Sequence, residues 1–457
     1  MMGLVGYRLA IRATYKAVFL DGACILGRAY SEDHLQMLLK VLVVGAGLGG
    51  LGAAIALSRA GHEVLVFEQS RFLHEVGAAI HVAPNASRIL KSWGVDMEAL
   101  QAVECKAIEV WDAQGNFVST TMAAKHYREQ LNIPDAWLLA HRVDLHNALR
   151  AAAAKEVNGR RVQIRLSSRV ASVDAEAGVV TLEDGSAYTG DLVIGADGIH
   201  SKTVKTITGK DQKKESTGQS CFRCLVPVSK LRLNPLTAPF LEKIGLDATH
   251  IFAGSDRRLV MYPCRGGTLL NVAAIHPSDA IARTDSTSCL DSGNLGDMLA
   301  TYRDFCPELQ EICRQAEDVK LWSLASRQPP PTFVKGRLAL LGDAAHPTLP
   351  HQGQGGAQSI EDGAALGALF TPDTIPAQVP QRLELYNKTR YAHSITVMMM
   401  SQRPNERRAE MIDELRRYVP DAQVPDDMFA FTWSSDPAGK ARSLLDKHLP
   451  GYTGVRL

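Results

Sequence analysis

The stretch that most constrains this chain is Lys40–Gln69, where an apolar run, Val41-Leu-Val-Val44, leads straight into a glycine-rich turn and then into helical spacing. The glycines stand at Gly45, Gly47 and Gly50. In a strand–turn–helix unit that binds a dinucleotide each has its own task. Gly45 allows the tight turn, Gly47 has no side chain to hold a pyrophosphate away from the backbone, and Gly50 lets the helix lie close on the strand. The spacing predicts a helix over Leu48–Ala60 with Gly61 as its C-terminal cap, then a second strand over Val64–Phe67. That strand ends in Glu68, 18 residues past Gly50, about where this fold places the acid that accepts hydrogen bonds from an adenosine ribose. The unit points to an adenine dinucleotide without choosing between NAD and FAD.

With 457 residues, the chain has room for two to three domains. Fifty Lys and Arg against 49 Asp and Glu leave a net charge of +1, so no basic field marks nucleic acid as a partner. No apolar run approaches the length of a membrane span; Ser394–Met400 is far too short. Eight cysteines are too few for a disulfide scaffold in so long a chain. Cys221 and Cys224 form a lone CxxC, and Cys306 and Cys313 are seven apart; neither has the second pair a zinc site needs, so the expectation is free thiols, a cytoplasmic setting and no metal. A redox CxxC is the lesser alternative.

Residues 1–39 stand apart. Arg8, Arg12 and Lys16 form a basic stripe and no acid precedes Asp21. The segment reads either as a targeting or interfacial segment or as an upstream extension with no catalytic role. The second reading is favoured, because a start at Met37 opens directly on the first strand.

Further along, Ile108–Trp111 and Phe117–Met122 alternate as paired strands, and Asp184-Gly185 marks a hairpin. Asp191–Ile194 is a buried strand ending in Gly195-Ala-Asp197-Gly198, and Gly336–Leu341 is another ending in Gly342-Asp343. Between them, from Thr217 to Trp322, strands alternate with long loops. The chain therefore divides into an N-terminal extension (1–39), a first part of the nucleotide-binding domain (40–216), with strands near 105–137 facing a substrate, and a β-sheet substrate domain (217–322). The second part of the nucleotide-binding domain (323–371) and a helical C-terminal segment (372–457) complete it. The fold class is α/β: a Rossmann-like dinucleotide-binding domain, which the resemblance given next makes an FAD-binding domain, with an inserted β-sheet domain and a helical C-terminal segment.

Three separated stretches agree on a family: the glycine turn, Gly195-Ala-Asp197-Gly198-Ile-His-Ser201, and Gly342-Asp343-Ala-Ala-His346-Pro347. Together they resemble the class A flavoprotein monooxygenases of the para-hydroxybenzoate hydroxylase fold, most closely the salicylate hydroxylase-like branch, over about Val41–Asp436. The resemblance implies FAD as cofactor and NADPH or NADH as co-substrate. It implies that Asp197 and Gly198 contact both, that Asp343 binds the flavin ribitol, and that Arg142 reaches the FAD. The loop Pro350-His-Gln-Gly353-Gln-Gly355-Gly356 would run beside the flavin ring, with Gly77–Ile80, including Ala79, close to it. It also implies the chemistry: reduced flavin adds O₂ to form a C4a-hydroperoxide, whose distal oxygen passes to an electron-rich ring. One departure is that Val204, followed by Lys205, stands where the family carries an arginine.

For the substrate side the candidates are His81, Arg223, His250 and Tyr262. A histidine is the side chain most readily tuned to accept a phenolic proton near neutral pH, and an arginine pairs with a carboxylate or phenolate. The expected activity is hydroxylation of a phenolic or aromatic-acid substrate. The alternatives are a reductase or epoxidase of an isoprenoid on the same fold, or a non-catalytic binding protein that keeps the dinucleotide fold. Intact Asp197-Gly198 and Gly342-Asp343 speak against the binder.

Overall fold

The two strands predicted around the glycine turn lie side by side in a six-stranded sheet. In the computed structural model, which describes residues 19–20, 23–24, 38–71, 78–157, 159–278, 290–403 and 405–449, the order across this sheet is Gln163–Arg165, Glu63–Phe67, Lys40–Val44, Leu192–Gly195, Leu338–Leu340 and Val334–Lys335. All neighbours are parallel except the last pair. Val44 is level with Phe67 on one side and Gly195 on the other, and Gly195 is level with Leu340. The carboxyl ends of four strands thus form one row, and Gly45, Glu68, Asp197 and Asp343 follow within three residues of it. This register brings the distant motifs to a single edge, where ligands bind in open parallel sheets.

The apolar run 41–44 is explained by burial on both faces. Val41 and Val43 join the helical layer, while Leu42 and Val44 pack with Val193 and Leu338 against an antiparallel meander, Val170–Asp174, Val179–Leu182 and Ala187–Thr189. Gly185, at φ +84°, makes the expected turn of that meander. Val41, Leu42 and Val43 are fully buried, each contributing about 1.5–3 kcal/mol relative to exposure.

An eight-stranded sheet forms the second layer system, in the order Leu290–Ser292, Glu317–Ser326, Glu215–Pro227, Leu269–Pro277, Arg258–Cys264, Thr249–Ala253, Ala107–Asp112 and Phe117–Ala123. The strands near 105–123 are therefore part of the substrate sheet, joined to it by the parallel pairing of Ile108 with Thr249. Its long strands begin at Glu215 and run on to Ser326, beyond the limits expected from the sequence. One face is covered by helices and holds Phe222, Cys224, Leu259, Met261 and Val272. Cys221 and Cys224 are three apart on one strand, so they point to opposite faces; both are buried and free, and a redox pair is sterically excluded.

The C-terminal helices Val379–Met400 and Pro437–His448 share one core with the nucleotide-binding helices through Leu383, Tyr386, Met398 and Leu445. Among the described residues no helix is long and apolar enough to cross a membrane. Of residues 1–37 only a short antiparallel pair, Phe19–Leu20 with Ala23–Cys24, is described. The basic stripe at Arg8, Arg12 and Lys16, Met37, and Gly77 lie outside the described residues.

Candidate active site

The three glycines of the turn have three different surroundings. Gly45 adopts φ +99°, and a Cβ there would lie 2.5 Å from the Ala196 carbonyl oxygen. A Cβ on Gly50 would lie 2.0 Å from the Gly45 carbonyl oxygen, so the helix Leu48–Arg59 sits on the turn at a distance only glycine permits. At Gly47 no atom comes within 4 Å of such a Cβ, and this residue caps the helix without a side-chain hydrogen bond. The helix N-terminus is thus open to an anion. Glu68 is pinned beside it: its carboxylate accepts from the Ala46 N–H at 2.8 Å and the Ser70 N–H at 2.8 Å.

Asp197 and Asp343 behave differently. The Asp197 carboxylate accepts from the backbone of Lys202 (2.7 Å) and Thr203 (3.0 Å) and from Thr203 Oγ1 (2.5 Å). It therefore shapes the turn, while Gly198, at φ +74°, has no atom within 4 Å of the place a Cβ would take. Asp343 is exposed at the carboxyl edge of the sheet, and the protein packed around it partly desolvates its carboxylate. That desolvation raises its pKa, against the opposing charges of His346, Arg327 and Arg142. Arg142 thus lies near enough to Asp343 to act on it by charge. Arg327, which the sequence reading missed, is 2 % exposed and donates to the carbonyls of Asp343 (3.0 Å) and Ala344 (2.6 Å). An isolated arginine before a run of prolines carries no sequence signal for that role. Val204 is buried in the core, and Lys205, next to it, is exposed on a neighbouring cleft.

The loop after Asp343 packs on the strand Ala79–Val82. A Cβ on Gly353 would lie 3.2 Å from His81 Cβ, one on Gly356 2.8 Å from Ile80 Cδ1, and one on Gly355 2.7 Å from Thr348 Oγ1. Pro350 opens the loop and is exposed. The helix Gly355–Leu369 begins without a side-chain cap, leaving its first N–H groups available to negative charge. The backbone of Ala79 is held from the substrate sheet on both sides, donating to Asn271 Oδ1 (3.1 Å) and accepting from the Tyr262 hydroxyl (2.9 Å). Tyr262 thus fixes the strand that carries His81, and burial pushes its pKa up. His81 stands edge-on to Tyr262 (ring centroids 4.5 Å) and near Trp137 (5.2 Å), and desolvation lowers its pKa to about 4.

Register decides the other substrate candidates. Tyr262 pairs with Asn271 and Asn271 with Leu225, so Tyr262, Leu225 and Arg223 share one face. His250 pairs with Met261, which belongs to the opposite, helix-covered face. It is fully buried there, with Glu109 3.2 Å from its Nδ1 and a pKa lowered to about 4 by burial, and it takes no part in this wall. Arg223 has its guanidinium 5.3 Å from the Trp322 ring centroid, and its buried Nε has no hydrogen-bond partner among the described residues. Arg258, two pairings along the same face, donates to His351 Nδ1 at 2.6 Å and ties the sheet to the loop. His351 is held to a pKa of about 3 by burial and by that guanidinium. A period of two from Tyr262 would have found Arg258; nothing in the sequence separates His250 from it, because pairing between strands is not local.

The open helix N-terminus, the acid beside it and the Asp343 carboxylate fit FAD. The family described as FAD binding domain matches residues 39–288 and 295–401. The chain belongs to that family. It is similar to the FAD-dependent monooxygenase cfoG of Aspergillus candidus, at 31% identity over 91% of this chain and 96% of that one. It is also similar to hispidin-3-hydroxylase of Neonothopanus nambi, at 35% identity over 77% and 85%. A salicylate hydroxylase substrate complex shares the fold, with a TM-score of 0.68 at 23% identity, covering 89% of this chain and 98% of that one. The protein is a class A FAD-dependent monooxygenase, and its cofactor is FAD.

Proposed function

We propose that the substrate is an aromatic ring bearing a phenol, or a phenol and a carboxylate, hydroxylated between the wall of the substrate sheet and the loop at Gly353. The observation that carries this is Arg223: a guanidinium whose buried Nε has no hydrogen-bond partner among the described residues, over the ring of Trp322, on the same face as the Tyr262 that fixes the strand of His81. A hydrocarbon such as an isoprenoid leaves that cation unmatched, whereas a carboxylate or phenolate takes it up in a charge-assisted pair.

The chemistry a bound FAD would supply is hydride acceptance from the pyridine nucleotide and activation of O₂, one atom going to the ring and the other leaving as water. The chain's own residues do the rest. The helix at Gly47, Asp343 and Arg142 hold the cofactor. His81, uncharged above about pH 4, would serve as a hydrogen-bond acceptor for the phenol during oxygen transfer, since so lowered a pKa makes it a weak base. Arg223 favours the phenolate at all ordinary pH values. Leu349, packed with Cys221 and Ile275, and Trp137 limit water on either side.

The reductant is assigned to a cleft of 710 Å³ beside the second motif, lined among others by His200, Ser201, Lys202, Lys205 and Arg327. Its positive character suits the phosphates of NADPH or NADH. The test is a screen of phenolic acids and isoprenoids for stimulated NAD(P)H oxidation, with product mass. Stimulation and a gain of one oxygen atom with a phenolic acid support the reading; turnover confined to isoprenoids refutes it.

A further inference from the structure

Beneath the Asp343 turn lies a polar cluster that the activity described so far does not use. Arg390, on the helix Val379–Met400, is 1% exposed and meets two adjacent carboxylates of the helix Gly355–Leu369: Asp362 through Nε (2.7 Å) and Glu361 through Nη1 (2.6 Å). Its Nη2 donates to Gln358 Oε1 at 2.8 Å. Each carboxylate reaches on to a different part of the site. Asp362 Oδ2 accepts from the Gly342 N–H (2.9 Å) and lies 2.7 Å from His346 Nε2, so it holds both ends of the turn that carries Asp343. Glu361 Oε1 accepts from Asn85 Nδ2 (2.6 Å), and that amide also faces Gln354 Oε1 (3.2 Å), the residue that opens the helix after the Gly353 loop. The helix of Arg390 also holds the strand before the turn, through the Tyr386 hydroxyl on the Leu340 carbonyl (3.0 Å).

Two neighbouring carboxylates and one guanidinium in a dry interior are a costly way to gain stability, since desolvation offsets most of the attraction. What such a cluster supplies is fixed geometry, because each charge is held only where its partners are. Burial alone would raise the Asp362 pKa, but His346 and Arg390 hold it down to about 2, so the anion persists at every working pH.

We infer that Arg390 and Asp362 are positioning residues for the cofactor: through the Gly342–His346 turn they set Asp343, and through Glu361, Asn85 and Gln358 they set the start of the helix after the flavin loop. The inference rests on the reading of Asp343 as an FAD contact. The experiment is a double-mutant cycle on FAD affinity, read by flavin fluorescence on apoprotein, with Asp343→Ala, Asp362→Asn and the pair, and the melting temperature of each apoprotein measured in parallel. Asp362→Asn is expected to weaken FAD by about tenfold, and in the Asp343→Ala background to have little further effect. Arg390→Lys, which keeps the charge but pairs with only one carboxylate, is the second variant: it is expected to weaken FAD by a similar factor while its apoprotein still melts cooperatively, and it decides the matter if Asp362→Asn does not fold. Unchanged FAD affinity in a folded Asp362→Asn or Arg390→Lys protein, or effects of Asp362→Asn and Asp343→Ala that simply multiply, would overturn the inference while leaving Asp343 as an FAD contact. Wild-type affinity in Asp343→Ala would overturn both.

Discussion

Two glycines three residues apart in the same turn are expected to respond to the same substitution in opposite ways. In Gly50→Ala the new methyl would stand 2.0 Å from the Gly45 carbonyl oxygen, where ordinary contact begins at 3.4 Å. The helix must retreat from the turn by about 1.4 Å against backbone that cannot rotate aside, and overpacking of this kind costs about 1–3 kcal/mol or more. In Gly47→Ala the methyl meets nothing within 4 Å, and φ is −69°, a value any residue adopts. The loss of glycine freedom in the unfolded chain stabilises by about 0.4–1 kcal/mol, and the poorer helix cap offsets it by a similar amount. The apoprotein of Gly47→Ala should therefore unfold in urea within about 1 kcal/mol of wild type, and that of Gly50→Ala at clearly lower denaturant. FAD affinity should divide the other way: Gly47→Ala places carbon where a phosphate approaches the helix N–H groups, and losing one charge-assisted hydrogen bond costs about 1.5–3 kcal/mol, a tenfold to hundredfold weaker Kd. The assays are urea unfolding of apoprotein and fluorescence titration with FAD. Wild-type FAD affinity in Gly47→Ala, or equal loss of stability in both variants, would refute the assignment of the turn.

Further outcomes follow from the site. Asp343→Ala is expected to lower flavin content on purification and weaken FAD by about 1.5–3 kcal/mol, measured by the same titration. His81→Ala should spare substrate binding and lower product formed per NAD(P)H oxidised, with no loss of a pH limb near 6.5, since burial has moved that histidine to about 4; a limb near 6.5 that vanishes in this variant would show that His81 itself titrates there, against the effect of its burial. Lys205→Glu should raise the KM for NADPH and flatten its salt dependence without altering FAD content; an unchanged KM places the reductant elsewhere. His62 and His250, 1% and 0% exposed, are held neutral at pKa values of about 4 by burial, so the unfolded chain binds protons that the folded one does not. Stability should fall as pH drops from about 6.5 toward 4, by up to about 1.4 kcal/mol per pH unit for each, read from urea midpoints at several pH values.

What the sequence determined by itself is local. The strand–glycine–helix unit, the acid at Glu68, and the Gly-Asp turns after two apolar runs are each written in a few consecutive residues, because turn geometry, helix start and two-sided burial act over that range. Their order along the chain was enough to place the family and the cofactor. The tertiary structure decided which residues meet. Strand register set Val44, Gly195 and Leu340 level, and so brought Asp343 to the edge where Gly47 stands. The same kind of register put Tyr262 and Arg223 on the sheet face proposed as the wall of the site and His250 on the opposite face, although all three lie on strands with suitable chemistry. It also turned the Tyr262 hydroxyl into a clamp on Ala79, gave Arg327 and Arg258 places that no motif announces, and split Cys221 from Cys224. A side chain's type is a property of one position; the face it points to depends on hydrogen bonds to strands far away in sequence, and that information arises only when the sheets close.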